Sequence, residues 1–372
     1  MGYQVGYSDQ RDVVSAVRSL KENLSEIENP GLVVYFVSPM YPVDEVSRLM
    51  AEEFPTAQTV GCTTAGEMIS NKMLTGSIVA MACGRNSIPR FKIEILENIS
   101  EDKNAVEKAL KNMGNYFKTP VSALSPSRYV GIVMIDGKSQ CEEYINEQIG
   151  AQTNVIFIGG SAGSNEINNL TYLCVNGKTY TNAAVLLLME PVDGFSFLKM
   201  QSVVLTEKNL IATRTNESER VVYEFNNKPA AEAYADALNV SVSELQNYFI
   251  SNPLGLVFDR KNIFVRDANR IIDNGAISFY CSIREGEELT VLQAGDIVSD
   301  ARRDLEQAWF NNRNLKAIIE FNCMSRMKEL YENNQEQKYA ALFKSIPTIA
   351  LGTFGESYIR HINQTSTMLF LK

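Results

Sequence analysis

Residues 31–68 read GLVVYFVSPMYPVDEVSRLMAEEFPTAQTVGCTTAGEM. The opening LVVYFVS is β-branched and aromatic without polar alternation, the pattern of a strand buried on both faces. Val43–Phe54 then fits a helix and Thr56–Val60 a second strand, which runs into the small, polar GCTTAGE at 61–67. Upstream, Val13, Val14, Val17, Leu20, Leu24 and Ile27 recur at helical spacing and stop at Pro30-Gly31. The order helix, strand, helix, strand sets the expectation of an α/β fold with mixed sheets and helices on their faces.

The arrangement returns further along. Strand candidates fall at Ser77–Ala82, Arg90–Leu96, Tyr129–Ile135, Val155–Gly159, Thr171–Val175 and Ala183–Met189, with helices at Lys103–Phe117 and Gln140–Gly150. The Asn176-Gly177 turn inside YLCVNGKTYTNAAVLLL signals a hairpin, so the first half is not a purely parallel sheet. Near 205–220 the chain turns polar at TEKNLIATRTNESER, and a domain boundary is expected there. That divides the chain into 1–205 and 206–372, two α/β domains sharing an interdomain cleft. The second block reads as helices at Pro229–Leu238 and from Ser241 or Ser243, then strands at Leu254–Phe258, Ile263–Arg266, Ala276–Ser282 and Glu288–Leu292. A helix at Ile297–Asn311, the strand LKAIIEFNC, one long helix at Arg326–Phe343 and two closing strands complete it.

Composition narrows the function classes. At 372 residues the chain exceeds the size of a single core, in line with two domains. A net charge of −9, spread along the chain, argues against binding driven by nucleic-acid phosphates. No apolar run is long enough to span a bilayer, and MGYQVGYSDQRD lacks both a secretory layout and, with Gly6 where a serine is expected, a myristoylation signal. A cytoplasmic protein is expected. Cys62, Cys83, Cys141, Cys174, Cys281 and Cys323 form no CxxC pair, and His361 is the one histidine, which excludes the usual zinc sites.

The strand-end loops carry the candidate chemistry. In GCTTAGE, Gly61 and Gly66 allow close backbone approach, while Cys62, Thr63 and Thr64 offer a thiol, hydroxyls and NH groups to a small polar ligand. A tight turn whose glycines serve packing is the alternative. GGSAG at 159–163 has the same double meaning and literally fits the nucleophile elbow G-x-S-x-G, making Ser161 a candidate nucleophile. Against that, SNEINNL (164–170) is short for the following helix, and His361 lies in the other expected domain. Pro55-Thr56 and Pro347-Thr348 each lead through a strand into a Gly-x-Thr-x-Gly-Glu motif closing at Glu67 and Glu356, with one extra residue in the first copy of the motif, and NVIFIGGSAGSNEI (154–167) between them has a related look: a faint internal repeat. Glu67 and Glu356 would then form a carboxylate pair for an amine, with Arg266, Arg326 or Arg360 receiving a ligand carboxylate; a structural ion pair is the alternative. His361 is the sole histidine candidate for an axial ligand to haem, against a plain packing role.

Taken as a series, VGCTTAGEM (60–68), FIGGSAGSN (157–165), NGKTYTNAAVLLL (176–188), PLGLVF (253–258), VRD (265–267), GAISFYCSIREGEEL (275–289), AIIEFNCMSR (317–326), GTFGESY (352–358) and HINQT (361–365) resemble the FIST family of sensory proteins. The resemblance implies a ligand-binding input module of bacterial or archaeal signalling, with small molecules such as amino acids as ligands. One stand-alone branch of that family binds haem, senses nitric oxide and acts on a separate histidine kinase or cyclic-di-GMP protein. No output segment is recognisable here, so a partner protein is expected to carry the signal, and no catalysis is expected. The matching positions give Gly61, Cys62, Thr63, Thr64, Gly66, Glu67, Gly159, Gly160, Ser161, Arg266, Arg326, Glu356 and Asn363 as ligand-binding candidates, with His361 for haem. The two related loops are expected one per domain, facing each other across the cleft.

Overall fold

The computed structural model describes residues 2–164, 170–259, 262–312 and 314–372. The chain forms two compact units, one of residues 1–200, 302–361 and 366–372, the other of residues 201–301 and 362–365. The expected division at 205/206 falls near the first crossing. The remainder is corrected: most of the C-terminal third returns to the first unit, because its strands complete that unit's sheets.

The first unit is built from three repeats. The first comprises β1 (Tyr3–Ser8), α1 (Val13–Asn23), β2 (Pro30–Val37), α2 (Val43–Glu53), β3 (Gln58–Thr63), the hairpin β4 (Glu67–Ile69) and β5 (Lys72–Leu74), and β6 (Ile78–Gly84). The second follows the same order: β7 (Arg90–Glu97), α3 (Ala105–Phe117), β8 (Val130–Ile135), α4 (Glu142–Gln152), β9 (Phe157–Ser161), the hairpin β10 (Leu173–Val175) and β11 (Lys178–Tyr180), and β12 (Ala183–Glu190). The third begins with β13 (Phe195–Gln201) and is then interrupted by the second unit.

That unit contains β14 (Val203–Asn216), β15 (Val221–Phe225), β16 (Lys228–Pro229), α5 (Ala230–Leu238), α6 (Val242–Leu245), β17 (Leu254–Val257), β18 (Ile263–Arg266), β19 (Ala268–Ile271), β20 (Ile277–Phe279) and β21 (Glu288–Ala294). The polar stretch at which the domain boundary is expected lies mostly in the 14-residue strand β14, whose many exposed residues explain its polar reading. The sheet order is β18-β17-β21-β14-β15-β20-β19, so its two edge strands are neighbours in sequence, separated by Asp267 alone. The sheet therefore curls back on itself, around a core that includes Phe225, Tyr234, Phe249 and Leu289.

The third repeat resumes with α7 (Ile297–Asn311), β22 (Ala317–Cys323), α8 (Met324–Glu332), α9 (Glu336–Ala340), β23 (Thr348–Thr353), the hairpin β24 (Glu356–Tyr358) and β25 (Arg360–Ile362), and β26 (Thr365–Leu371). The single long helix expected at 326–343 is broken between α8 and α9, where Asn334 takes a left-handed φ of 52°.

Each repeat sends its hairpin to another repeat's sheet. The orders are β1-β6-β2-β3-β10-β11, β7-β12-β8-β9-β24-β25 and β13-β26-β22-β23-β4-β5. The second repeat's hairpin thus completes the first sheet, the third repeat's the second, and the first repeat's the third. In each sheet the central pair is parallel, β2 with β3, β8 with β9 and β22 with β23. Inner faces meet in one core that includes Phe36, Val60, Ile132, Met134, Ile319 and Phe321. The outer faces of the first two sheets pack under their own helices, Tyr35 and Val37 beneath α1 and α2, Val133 and Ile135 beneath α3 and α4. Among the described residues no helix is long and apolar enough to cross a membrane.

Candidate functional site

Strand register aligns the loops that end the parallel pairs. Gly61 lies opposite Tyr35, Gly159 opposite Val133 and Ala350 opposite Glu320. GCTTAGE therefore superposes on ALGTFGE (350–356) without a gap, so the extra residue expected in the first copy is corrected, and GGSAG takes the same place in the second repeat. Backbone hydrogen bonds then run cyclically: Ala65 N donates to Gly352 O (2.9 Å), Gly163 N to Thr63 O (3.0 Å) and Phe354 N to Ser161 O (3.4 Å). A second ring joins Gly352 N to Gly66 O (2.7 Å), Ser161 N to Gly355 O (2.9 Å) and Thr63 N to Tyr172 O (2.9 Å). The two related loops do meet, but inside the first unit; their expected placement one per domain across a cleft is corrected.

Most of the side chains there serve the rings. Thr64 Oγ1 accepts from Gly66 N and Gly352 N, both at 3.0 Å. A Cβ on Gly61 would stand 2.0 Å from Tyr35 O, and one on Gly159 1.8 Å from Val133 O, so both glycines are required by close strand approach. On Gly160 it would stand 2.7 Å from Thr353. Cys62 is fully buried, and burial pushes its thiol well above the usual range. Ser161 is fully buried and donates to Glu142 (2.8 Å). The segment read as too short for a hydrolase helix lies mostly in 165–169, outside the described residues. Glu67 and Glu356 occupy equivalent positions on different sheets, Glu67 opposite Leu351 and Glu356 opposite Gly160. Their carboxylates take separate partners, Ser77 for Glu67 (2.8 Å to its hydroxyl) and Thr353 for Glu356. Among the described residues Glu67 Oε1 makes no hydrogen bond, and burial, only partly offset by Ser77, pushes its carboxyl up to about 8.

Arg326 stands apart. On the first turn of α8, under which β22 runs, it is 2% exposed, and its one side-chain hydrogen bond among the described residues is from Nε to Asn322 Oδ1 (3.1 Å). Its Nη2 is buried without a partner, and among the described residues no carboxylate lies within ion-pair distance. Beside it on β22, fully buried Glu320 accepts from Tyr339 (2.5 Å) and Ser366 (2.6 Å) through Oε1, while Oε2 has no partner among the described residues. Burial raises the Glu320 carboxyl, with Ser366, Tyr339 and the Arg326 charge opposing. Glu320, Asn322, Tyr339 and Ser366 escaped the sequence reading. AIIEFNC reads as a buried strand, and the polar residues at its alternate positions were the available signal.

In the second unit, Arg266 and Asn363 belong to a polar knot at the seam of the curled sheet. Asn363 Oδ1 accepts from Asp267 N (3.2 Å) and from the Cys281 thiol (2.8 Å), and Gln364 donates to Asp267 Oδ1 (2.7 Å). Arg266, 7% exposed, donates to Val265 O (3.4 Å). These bonds pin the single residue linking the edge strands.

His361 sits on β25, 2% exposed, with a carboxylate oxygen of Glu143 within 4.8 Å of a ring nitrogen. The neighbouring Ser357 accepts from Asn146 (3.0 Å).

A family model described as FIST N domain matches residues 31–228, and one described as FIST C domain matches residues 230–358. No curated protein matches the chain.

Proposed function

Because the chain belongs to the FIST family of signal-transduction sensory domains, we propose that it senses a small molecule bearing a carboxylate, bound in the third repeat at the carboxyl ends of β22 and β23. The observation that carries this reading is Arg326. A guanidinium stays charged at any physiological pH, and burying it with one neutral hydrogen bond costs several kcal/mol unless an anion completes its fork. Crevices at the carboxyl ends of parallel strands are where open α/β sheets place ligands. An amino acid or similar molecule suits the site, since Glu320 presents a second unpartnered polar atom nearby. Enclosure beneath α8 and α9 links occupancy to the closure of those helices, and a separate signalling protein such as a histidine kinase or cyclic-di-GMP protein would read the closed form.

Thermal denaturation with the twenty amino acids and simple carboxylates, each at roughly 10 mM, tests it. A compound that raises the midpoint of the wild type but not of Arg326→Met is expected. Stabilisation by none of them, or equal stabilisation of the variant, refutes the reading.

A further inference from the structure

The three repeats make the protein its own control. Glu320 occupies the register position of Tyr35 and Val133, and Asn322 that of Val37 and Ile135. Across to the neighbouring antiparallel strand, Ser366 pairs with Asn322 as Ile78 pairs with Val37 and Ala184 with Ile135. At all three positions the first two repeats place apolar core residues under their helices. The third repeat places a carboxyl, an amide and a hydroxyl there, all 0–2% exposed. The fold does not need them, since two of its three copies are built without them, and burying such groups is costly.

Resting on the ligand reading above, we infer that Glu320, aligned by Tyr339 and Ser366, is the specificity-determining residue of the site: it accepts a protonated amine of the ligand whose carboxylate rests on Arg326, and gives up a proton to solvent as it does so. Tyr339 from α9 and Ser366 from β26 both hold Oε1, leaving Oε2 the oxygen for the amine. Arg326 from α8 is close enough for its charge to act on Glu320, and no ion pair joins the two among the described residues. Tyr339 and Arg326 are the titratable or charged groups whose action on Glu320 is resolved. Without ligand, burial favours the neutral carboxylic acid. An arriving ammonium favours the carboxylate, so the O–H bond of Glu320 breaks, its proton leaves to buffer, and an N–H···O⁻ contact forms. Proton release makes binding tighter as pH rises for as long as Glu320 is protonated in the free protein; beyond that the affinity levels off, and it falls once the ligand amine deprotonates.

The test pairs L-amino acids with their deaminated acids (alanine with propionate, leucine with 4-methylpentanoate, glutamate with glutarate) in calorimetric titrations in phosphate and in Tris. The wild type is expected to prefer an amino acid to its deaminated partner by ~10-fold or more, with the heat differing between buffers as protons are released. In Glu320→Gln the preference and the buffer dependence should vanish while carboxylate binding through Arg326 persists; Ser366→Ala, a milder change, should weaken the preference. Retained preference in Glu320→Gln, or amino acids and plain acids binding the wild type equally, overturns the inference and leaves the carboxylate reading standing. Failure of every amino acid and acid to bind overturns both.

Discussion

Glu67 offers a sharp test of the buried loop ring. Its carboxyl is fully buried, held through one oxygen by Ser77, and raised from 4.5 to about 8 by desolvation. The folded chain therefore prefers the neutral acid, whereas the unfolded chain ionises near the ordinary value. The stability this contributes is complete below about pH 4.5 and is lost as pH rises through about 8. At about 1.4 kcal/mol per pH unit the full interval is worth about 5 kcal/mol, of which about 4 kcal/mol falls between pH ~5 and pH ~8.5. Glu67→Gln keeps the size and an acceptor for Ser77 but cannot ionise. Urea unfolding of both proteins at the two pH values gives the difference directly, with other titrating groups cancelling between them. The variant should lie near the wild type at the lower pH and above it, by a few kcal/mol, at the higher. Parallel pH profiles for the two proteins would refute the assignment of a buried neutral carboxyl.

Gly61→Ala and Gly159→Ala each drive a Cβ into the facing carbonyl of the parallel strand and should lose about 3 kcal/mol or more in urea unfolding. Asn363→Ala strips the acceptor from Asp267 N and the Cys281 thiol at the seam of the second unit, and should cost about 1–3 kcal/mol, measured by hydrogen exchange in residues 263–271. Ser161, buried and donating to Glu142, should not react with a fluorophosphonate in the folded protein; stoichiometric labelling there would establish a nucleophile instead. Haemin added to the purified protein should give no Soret band that His361→Ala removes, since that histidine is 2% exposed and has a carboxylate oxygen near its ring nitrogen.

Some features were legible because they are local. LVVYFVS, Val43–Phe54 and the Asn176-Gly177 turn carry their own periodicity and turn chemistry, and each forms the expected strand, helix and hairpin. The chain-long series of motifs was enough to assign the family. The kinship of the Gly/Thr loops was also visible, because Thr-x-Gly-Glu is spelled twice, at 64–67 and 353–356. What pairing alone decides was not visible: that there are three repeats, that each lends its hairpin to another's sheet, and that the C-terminal third rejoins the first unit. Hydrogen bonds between strands hundreds of residues apart leave no local trace, since one strand's side-chain pattern fits many partners. The same holds for the candidate site. The sequence singled out Arg326 by resemblance, but Glu320 and Ser366 became notable only once register set them beside Tyr35, Val133, Ile78 and Ala184, because burial without a partner is a property of the packed neighbourhood and not of the residue.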